Sequence, residues 1–501
     1  MKTIKKIYGG IYTSETMKQA DEFIVDIQQQ KAESELAPFY LWETLAHNYM
    51  LAKQKIIPEK ESKLILQVLV KYLEKADKEG FVLDPTVGDI HENVETLLTQ
   101  QLGSIAGWMH IARSRNDQIT CDQKLITKKL LFDLFNSLFA LSQVLGEKAS
   151  TYKHVVMPGL THLRVAMPSS FGFWWQSYLE QIIECQIILQ SIYEATDKNP
   201  LGAGASYGTN WPIDPQMTTK YLGFNNVFTN ALSAINSRGI HELYTIAPLC
   251  SLLTILSRMM EDVIIFSMPE INWINMDEGF TSGSSIMPQK MNADVAEKIR
   301  SKTAKVLGLF VTTCVAMKGT PSGYNKDSAE TKLAILDSLK EVISTVKIAT
   351  VMLEKITPNS EVMKKSISQS LATKLADALV KTYKIPFRSA HHIVGKALAL
   401  VEKDISKVTP EILGDAIEEI LGVKINISAI FIKSVLDKEH ALESYLYLGT
   451  PSPSLVTKVN KKLLKKAKKI NTWVKFQEDI SLKAKGNLIK DVKAYIKGES
   501  L

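Results

Sequence analysis

Apolar residues in this chain recur at three- and four-residue spacing, and strand-like alternation is scarce. In LITKKLLFDLFNSLFALSQVL (125–145), Leu131, Leu134, Leu138, Leu141 and Leu145 form one stripe, and further apolar residues spill onto other faces. A helix apolar on several sides belongs inside a bundle rather than on its surface. Stretches of the same kind occupy 173–195, 240–267, 293–318 and 328–355. Several outrun the usual ~8–20 residues, so the pattern predicts an all-α protein with a long central helix bundle.

Prolines and glycines punctuate this pattern. MPGLTH (157–162), NPLGAGASYGTNWPIDP (199–215) and DEGFTSGSSIMP (277–288) are expected loops, and ITPNSEV (356–362) an expected boundary. Beyond it, 370–400 predicts two helices around Ile385-Pro386. The expected organisation is a mostly helical N-terminal domain (1–117), a central long-helix domain (118–356), a small C-terminal helical domain (357–470) and a basic extension (471–501). The lysine-rich KKLLKKAKKI is expected to be a solvated helical tail whose few apolar residues dock on the domain.

Composition refines this only modestly. The chain has 501 residues, 45% of them hydrophobic, which suits a multidomain globular protein with a large core. A net charge of +7, concentrated near the C-terminus, gives little support for nucleic-acid binding. The widely spaced Cys121, Cys185, Cys250 and Cys314 are expected buried free thiols, with no CxxC pair for zinc or redox work. The start has no apolar signal core, and the longest apolar stretch (306–317) is too short to span a bilayer. A soluble, cytoplasmic protein with no membrane partner is the expectation.

Several loops are more polar than a bundle requires: GDIHENVE (88–95), HIARSRNDQ (110–118), MPGLTHLR (157–164), TSGSSIMPQKMNADVAE (281–297) and GTPSGYNKDSAETK (319–332). Each residue has a purely structural explanation. Asp89, Ser114, Asn116 or Asp117 can cap a helix. His162 can be a hydrogen-bonded structural histidine, Ser284 or Ser285 a turn residue, and Lys290 a solvated charge. Together, however, they supply cations, amides, hydroxyls and an imidazole, an inventory that suits a substrate with carboxylates. No metal-ligand spacing, GxGxxG turn or Walker loop accompanies them.

GSSIMPQKMN resembles the signature loop of the aspartase/fumarase superfamily, usually Gly-Ser-Ser-x-Met-Pro-x-Lys-x-Asn. HIARSRNDQ, MPGLTHLR, NPLGAGASYGTNWPID and ATKLADALVKTYKIPFRSAHHIVGKA are similar to the argininosuccinate lyase family in particular, in the family order and to about residue 465. The resemblance implies a three-domain fold and a homotetramer with active sites shared between subunits. It implies cleavage of argininosuccinate to fumarate and arginine, as in arginine biosynthesis, without cofactor or metal. Ser284 would be the proton-abstracting base, and Lys290 and Asn292 would clamp the developing dianion. Ser114, Asn116 and Thr161 would grip the succinyl carboxylates, with charge from Arg113 and Arg115. Glu297 would orient His162. Asp89, His91, Ser285, Tyr324 and Lys332 complete the implied substrate-binding set. Gly279 and Gly283 suggest a loop that closes over substrate.

The departures from that pattern are unequal. Ile111-Ala112 replace Thr-Gly, Leu160 and Arg164 replace Tyr and Gln, Ala293 replaces Pro, Ala329 replaces Gln, and Gly239 replaces Asp. The family's N-terminal pocket serine falls near Gln29. Gln29 and Ala329 belong to the side that, in the family, holds the arginine moiety. Two other readings therefore stay open: a lyase for a different N-substituted aspartate, and a non-catalytic relative of the lens-crystallin kind. Arg164 beside His162 is the feature that favours the latter, since a cation lowers a neighbouring imidazole's pKa.

Overall fold

The computed structural model describes residues 27–84 and 87–499, with Gln29 and its neighbours up to residue 32 placed as backbone only. Three helices open the chain: α1 (Ile27–Lys53), α2 (Glu59–Glu79) and α3 (Ile90–Leu102). The bundle helices are α4 (Arg115–Thr151) and α5 (Phe171–Thr196), and, after the short α6 (Pro215–Leu222) and α7 (Ala231–Asn236), α8 (Ile240–Ser267), α9 (Asp294–Met317) and α10 (Glu330–Lys355). Smaller helices follow: α11 (Ser360–Ser366), α12 (Leu371–Tyr383), α13 (Phe387–Leu400), α14 (Pro410–Leu421) and α15 (Ala429–Val435). The long α16 (Pro453–Lys497) ends the chain.

Local chemistry sets these limits. Ser114 caps α4: its Oγ accepts from the Asn116 N–H (3.3 Å), and Asp117 Oδ1 accepts from the Ser114 N–H (2.8 Å). Asp89 and Glu92 form the same reciprocal box on α3. The central core draws on α4, α5, α8, α9 and α10, including Leu134, Leu138, Leu141, Leu145, Leu253, Leu256, Val306 and Leu339. The all-round apolar character of residues 125–145 follows, because α4 packs against α5, α10 and α16 at once.

One expected loop is a hairpin. β1 (Val156–Thr161) pairs antiparallel with β2 (Arg164–Ser170), with a bulge near Gly159. Its two-residue turn is His162-Leu163, both at positive φ (52° and 55°), where Asn-Gly is the usual choice. That unusual turn sequence is why MPGLTHLR carries no hairpin signal. Two-residue strands β3 (Lys198–Asn199) and β4 (Asn226–Val227), then β5 (Ile274–Asn275) and β6 (Thr357–Pro358), form small clasps. Of the cysteines, Cys121, Cys185 and Cys250 are buried, while Cys314 is only partly covered.

The basic segment is no loose tail. Helix α16 runs unbroken through residue 470, where a boundary was expected. Its Leu463, Ala467, Ile470 and Val474 enter the central core, and Ala484, Leu488 and Val492 enter the N-terminal core of α1–α3. Lys485 pairs with Asp77 (2.6 Å), Lys493 with Glu74 (2.5 Å), and the Tyr221 hydroxyl donates to Asp491 (2.7 Å). Gly146 lets it approach: a Cβ there would lie 2.6 Å from Leu464 Cδ2. Its lysines mark the solvent face of an element that ties two cores together.

Candidate active site

The bundle helices sort the expected site residues into two groups. Helix α4 has 37 residues and is therefore ~55 Å long. Ser114 sits at its start, and the His162 hairpin follows its end. Helix α9 has 24 residues, ~36 Å, with the Ser284 loop before it and the Tyr324 loop after it. Lys148 Nζ near the end of α4 donates to the Ile356 carbonyl (2.8 Å), and β5 pairs with β6, so the ends of α4, α8 and α10 meet the start of α9. Thr161, His162, Ser284, Ser285, Lys290, Asn292 and Glu297 therefore lie at one end of the bundle. Asp89, His91, Arg113, Ser114, Arg115, Asn116, Tyr324 and Lys332 lie at the other. Within one chain the two groups do not meet.

At the first end the Ser284 loop is closed on itself. Ser282 and Asn292 exchange backbone hydrogen bonds (3.1 and 2.8 Å). Ser284 Oγ accepts from the N–H groups of Ile286 (3.3 Å) and Met287 (3.1 Å). Two backbone donors aimed at one hydroxyl oxygen stabilise negative charge on it, which is what a serine base requires. Lys290, Ser285 and the apolar Ile286 and Met291 project into solvent. His162 and Glu297 are both exposed and form no ion pair with each other; Glu297 lies in the first turn of α9. Thr161 and Arg164 are the pair that closes the hairpin turn, so their side chains share a face. Two non-glycine residues at positive φ hold strain of ~1–3 kcal/mol each at this turn.

At the second end the charges are already partnered. Arg113 is fully enclosed, its Nη1 bonded to Glu43 (3.2 and 3.3 Å) and to Thr44 Oγ1 (3.1 Å). Arg115 engages Asp89 and Glu92. Neither arginine supplies a free cation to a substrate in this arrangement; both brace the loop that presents Ser114 and Asn116. Lys332 is buried against Glu33. Burial alone would raise the Glu33 carboxyl, but Lys332 and His91 outweigh it and hold it below the ordinary value. His91 packs edge-on against Tyr40, its Nε2 3.7 Å from Asp122. Burial pushes His91 down to about 4, and burial together with the Glu43 and Glu33 carboxylates pushes Asp122 well up. The imidazole is thus neutral at neutral pH, beside a carboxyl that holds its proton more tightly than usual.

Sequence reasoning passed over Glu33, Glu43, Asp122 and the role of Arg238. Glu43 and Asp122 each sit on the buried face of a helix, a charged residue interrupting an apolar stripe, and that interruption was the available signal. Arg238 lies under the Tyr324 ring, its guanidinium carbon 5.1 Å from the ring centre. Ala329 is buried at the start of α10. Among the described residues no group of three or more His, Cys, Asp or Glu side chains is placed to hold a metal ion.

The sequence matches the Lyase family over residues 13–308 and the argininosuccinate lyase C-terminal family over 369–443. It is 37% identical to argininosuccinate lyase of Anoxybacillus flavithermus over 408 residues, covering 80% of this chain and 87% of that one. The chain belongs to the argininosuccinate lyase family. A second family member, from Leuconostoc citreum, is 38% identical over 410 residues, covering 81% of this chain and 87% of its own. Among solved structures, EDDS lyase in complex with formate superposes with a TM-score of 0.85 at 26% identity, covering 93% of both chains. Membership of this lyase family makes the chain a carbon–nitrogen lyase on the aspartase/fumarase fold.

Proposed function

We propose that the protein cleaves argininosuccinate to fumarate and arginine, serving arginine biosynthesis in the cytoplasm. The observation that carries this reading is Ser284 Oγ held by two backbone N–H donors, within the loop that also bears Lys290 and Asn292. Ser284 removes a proton from the succinyl methylene, and the electron pair moves onto the adjacent carboxylate. Lys290 and Asn292 hold the resulting dianion, where fixed donors act most strongly. The carbon–nitrogen bond then breaks anti to the lost proton, the double bond of fumarate forms, and the leaving nitrogen takes up a proton. His162, oriented by Glu297, stands on the same end of the bundle for that proton or for positioning. Ser114, Asn116 and Thr161 grip the succinyl carboxylates.

This chemistry needs both ends of the bundle at one substrate. Other copies of the chain, packed antiparallel, would bring them together, which is the reason to infer a homotetramer with shared sites. The bundle supports it: Leu307, Val311 and Val315 lie exposed at four-residue spacing on α9, and Ile348 and Val351 lie exposed near the far end of α10. A row of that kind on a long helix is suited to a partner helix rather than to water. The partner for His162 would then be Glu297 of another copy, consistent with the lack of an ion pair between them within one chain.

A second reading, release of another amine from an N-substituted aspartate, is favoured by one observation. The chain superposes on EDDS lyase in complex with formate, and Ala329 replaces an amide on the leaving-group side. Fumarate release, followed by ultraviolet absorbance over a panel of N-substituted aspartates, separates the readings. Argininosuccinate should be the best substrate, and Ser284→Ala should abolish turnover. Fumarate from other members of the panel but not from argininosuccinate would transfer the assignment to the second reading. An intact protein that cleaves none of them would be the crystallin-like case.

A further inference from the structure

Helix α16 carries a charge pattern that its docking on the two cores does not use. Residues 451–477 contain no Asp or Glu, and eight lysines fall between 458 and 475. All eight are exposed, and among the described residues none of them forms an ion pair. The later part of the same helix differs: Lys483 pairs with Asp479, Lys485 with Asp77 and Lys493 with Glu74. Like charges four residues apart, such as Lys458 and Lys462 or Lys465 and Lys469, work against a helix. Burial of the opposite face, with Leu463, Ala467, Ile470 and Val474 in the central core, holds the helix in spite of them.

The lysines have a common direction. At ~100° per residue, Lys458, Lys465, Lys469 and Phe476 point within ~20° of one another, along a crest ~27 Å long. Lys461 and Lys462 flank that crest within ~60° on either side. Phe476 is 61% exposed, so a large apolar side chain stands in line with the cations. Helix α16 packs against α4 and α5, whereas α9, whose exposed row is suited to another copy, packs against α8 and α10. The two surfaces thus belong to different layers of the bundle.

A convex ridge of point charges is the complement of a flat anionic surface. Single strands of nucleic acid are held instead in basic grooves set with stacking aromatics and arginines. This crest is a ridge with one aromatic, and α16 has no arginine. Lysine ammoniums meet phosphate headgroups without a fixed geometry, and clusters of ~4–8 on an amphipathic helix attract anionic lipid. We propose that the crest of α16 from Lys458 to Phe476 is a docking surface for an anionic phospholipid bilayer, with Phe476 entering the headgroup layer. Among the described residues no helix is long and apolar enough to cross a membrane, and the apolar face of α16 is committed to the cores. Attachment is therefore reversible adsorption rather than insertion. It departs from the expectation of no membrane partner, which rested on the lack of a spanning segment.

The test is co-sedimentation of the full-length protein with phosphatidylcholine vesicles that contain either no anionic lipid or roughly one third phosphatidylglycerol. The protein should bind only the anionic vesicles, and raising salt from ~0.1 to ~0.5 M should weaken binding by ~10-fold or more. Each lysine near such a surface contributes about fivefold, so the triple variant Lys458→Gln, Lys465→Gln, Lys469→Gln should bind ~100-fold more weakly. Phe476→Ser should weaken binding by about 3–10-fold. A matched triple variant, Lys60→Gln, Lys71→Gln, Lys75→Gln, removes the same charge from exposed positions on α2 and should bind as the wild type does. All of these side chains are exposed, so melting temperatures should stay at the wild-type value and separate lost binding from lost folding. Absence of binding to anionic vesicles, equal binding to neutral ones, or equal loss in the two triple variants overturns the proposal. So does a wild-type protein that retains a single-stranded RNA oligomer but no vesicles, which would assign the crest to nucleic acid.

Discussion

The sharpest consequence of the two-ended arrangement is complementation between two inactive variants. Asn116→Ala removes a side chain at one end of the bundle, and Ser284→Ala removes the proposed base at the other. Among the described residues the Asn116 side chain makes no hydrogen bond, and its backbone N–H keeps the Ser114 cap, so the first variant should fold normally. The intervening helix α4 is ~55 Å long and α9 ~36 Å, distances no succinyl amine bridges. On the proposed mechanism each site takes its Asn116 and its Ser284 from different copies. In tetramers assembled at random from equal amounts of the two variants, a given site has both residues intact about one time in four. Co-expression with two different affinity tags, selection for both (which discards the inactive single-variant tetramers), and a fumarate assay should thus return ~29% of wild-type activity, although each variant alone is inactive. Doubly tagged tetramers that stay inactive would refute the reasoning, since they would mean that both residues of a site come from one chain.

Three further outcomes follow from the same structure. Glu43→Ala leaves the enclosed Arg113 guanidinium without its carboxylate and should lower stability by ~3–5 kcal/mol, read by chemical denaturation. His47 and His91 are held neutral by burial, at about 3 and about 4. Their unfolded forms take up protons below ~6.5 while the folded forms do not, so stability is full above that pH and falls below it, by ~2 kcal/mol per histidine at pH 5; thermal melts across pH 7 to 5 check this. Removal of residues 476–501 strips Ala484, Leu488 and Val492 from the N-terminal core and should lower the melting temperature and raise binding of a hydrophobic dye, whereas a truly solvated tail would leave both unchanged.

Much of this molecule was present in its one-dimensional pattern. The apolar stripes of 240–267, 293–318 and 328–355 coincide with α8, α9 and α10 nearly to the residue, because a helix buried on several sides must be apolar at its own period. The break at Ile385-Pro386 separates α12 from α13 as proline requires. The signature loop, the lyase family and its expected chemistry were also legible, since they rest on residue types at short spacing. Other features depended on contacts remote in sequence. The His162-Leu163 turn has no glycine or asparagine to announce it, so only its strand partners define the hairpin. A lysine-rich helix looks solvated until its other face packs, Leu464 against Gly146 and Val492 among α1–α3. Arg113 and Arg115 are plausible carboxylate ligands in sequence, and tertiary structure assigned them instead to Glu43, Asp89 and Glu92. The division of the site between the two ends of the bundle has the same origin. Sequence names the groups a reaction needs, whereas the rigid length of a helix decides which of them one chain can bring together.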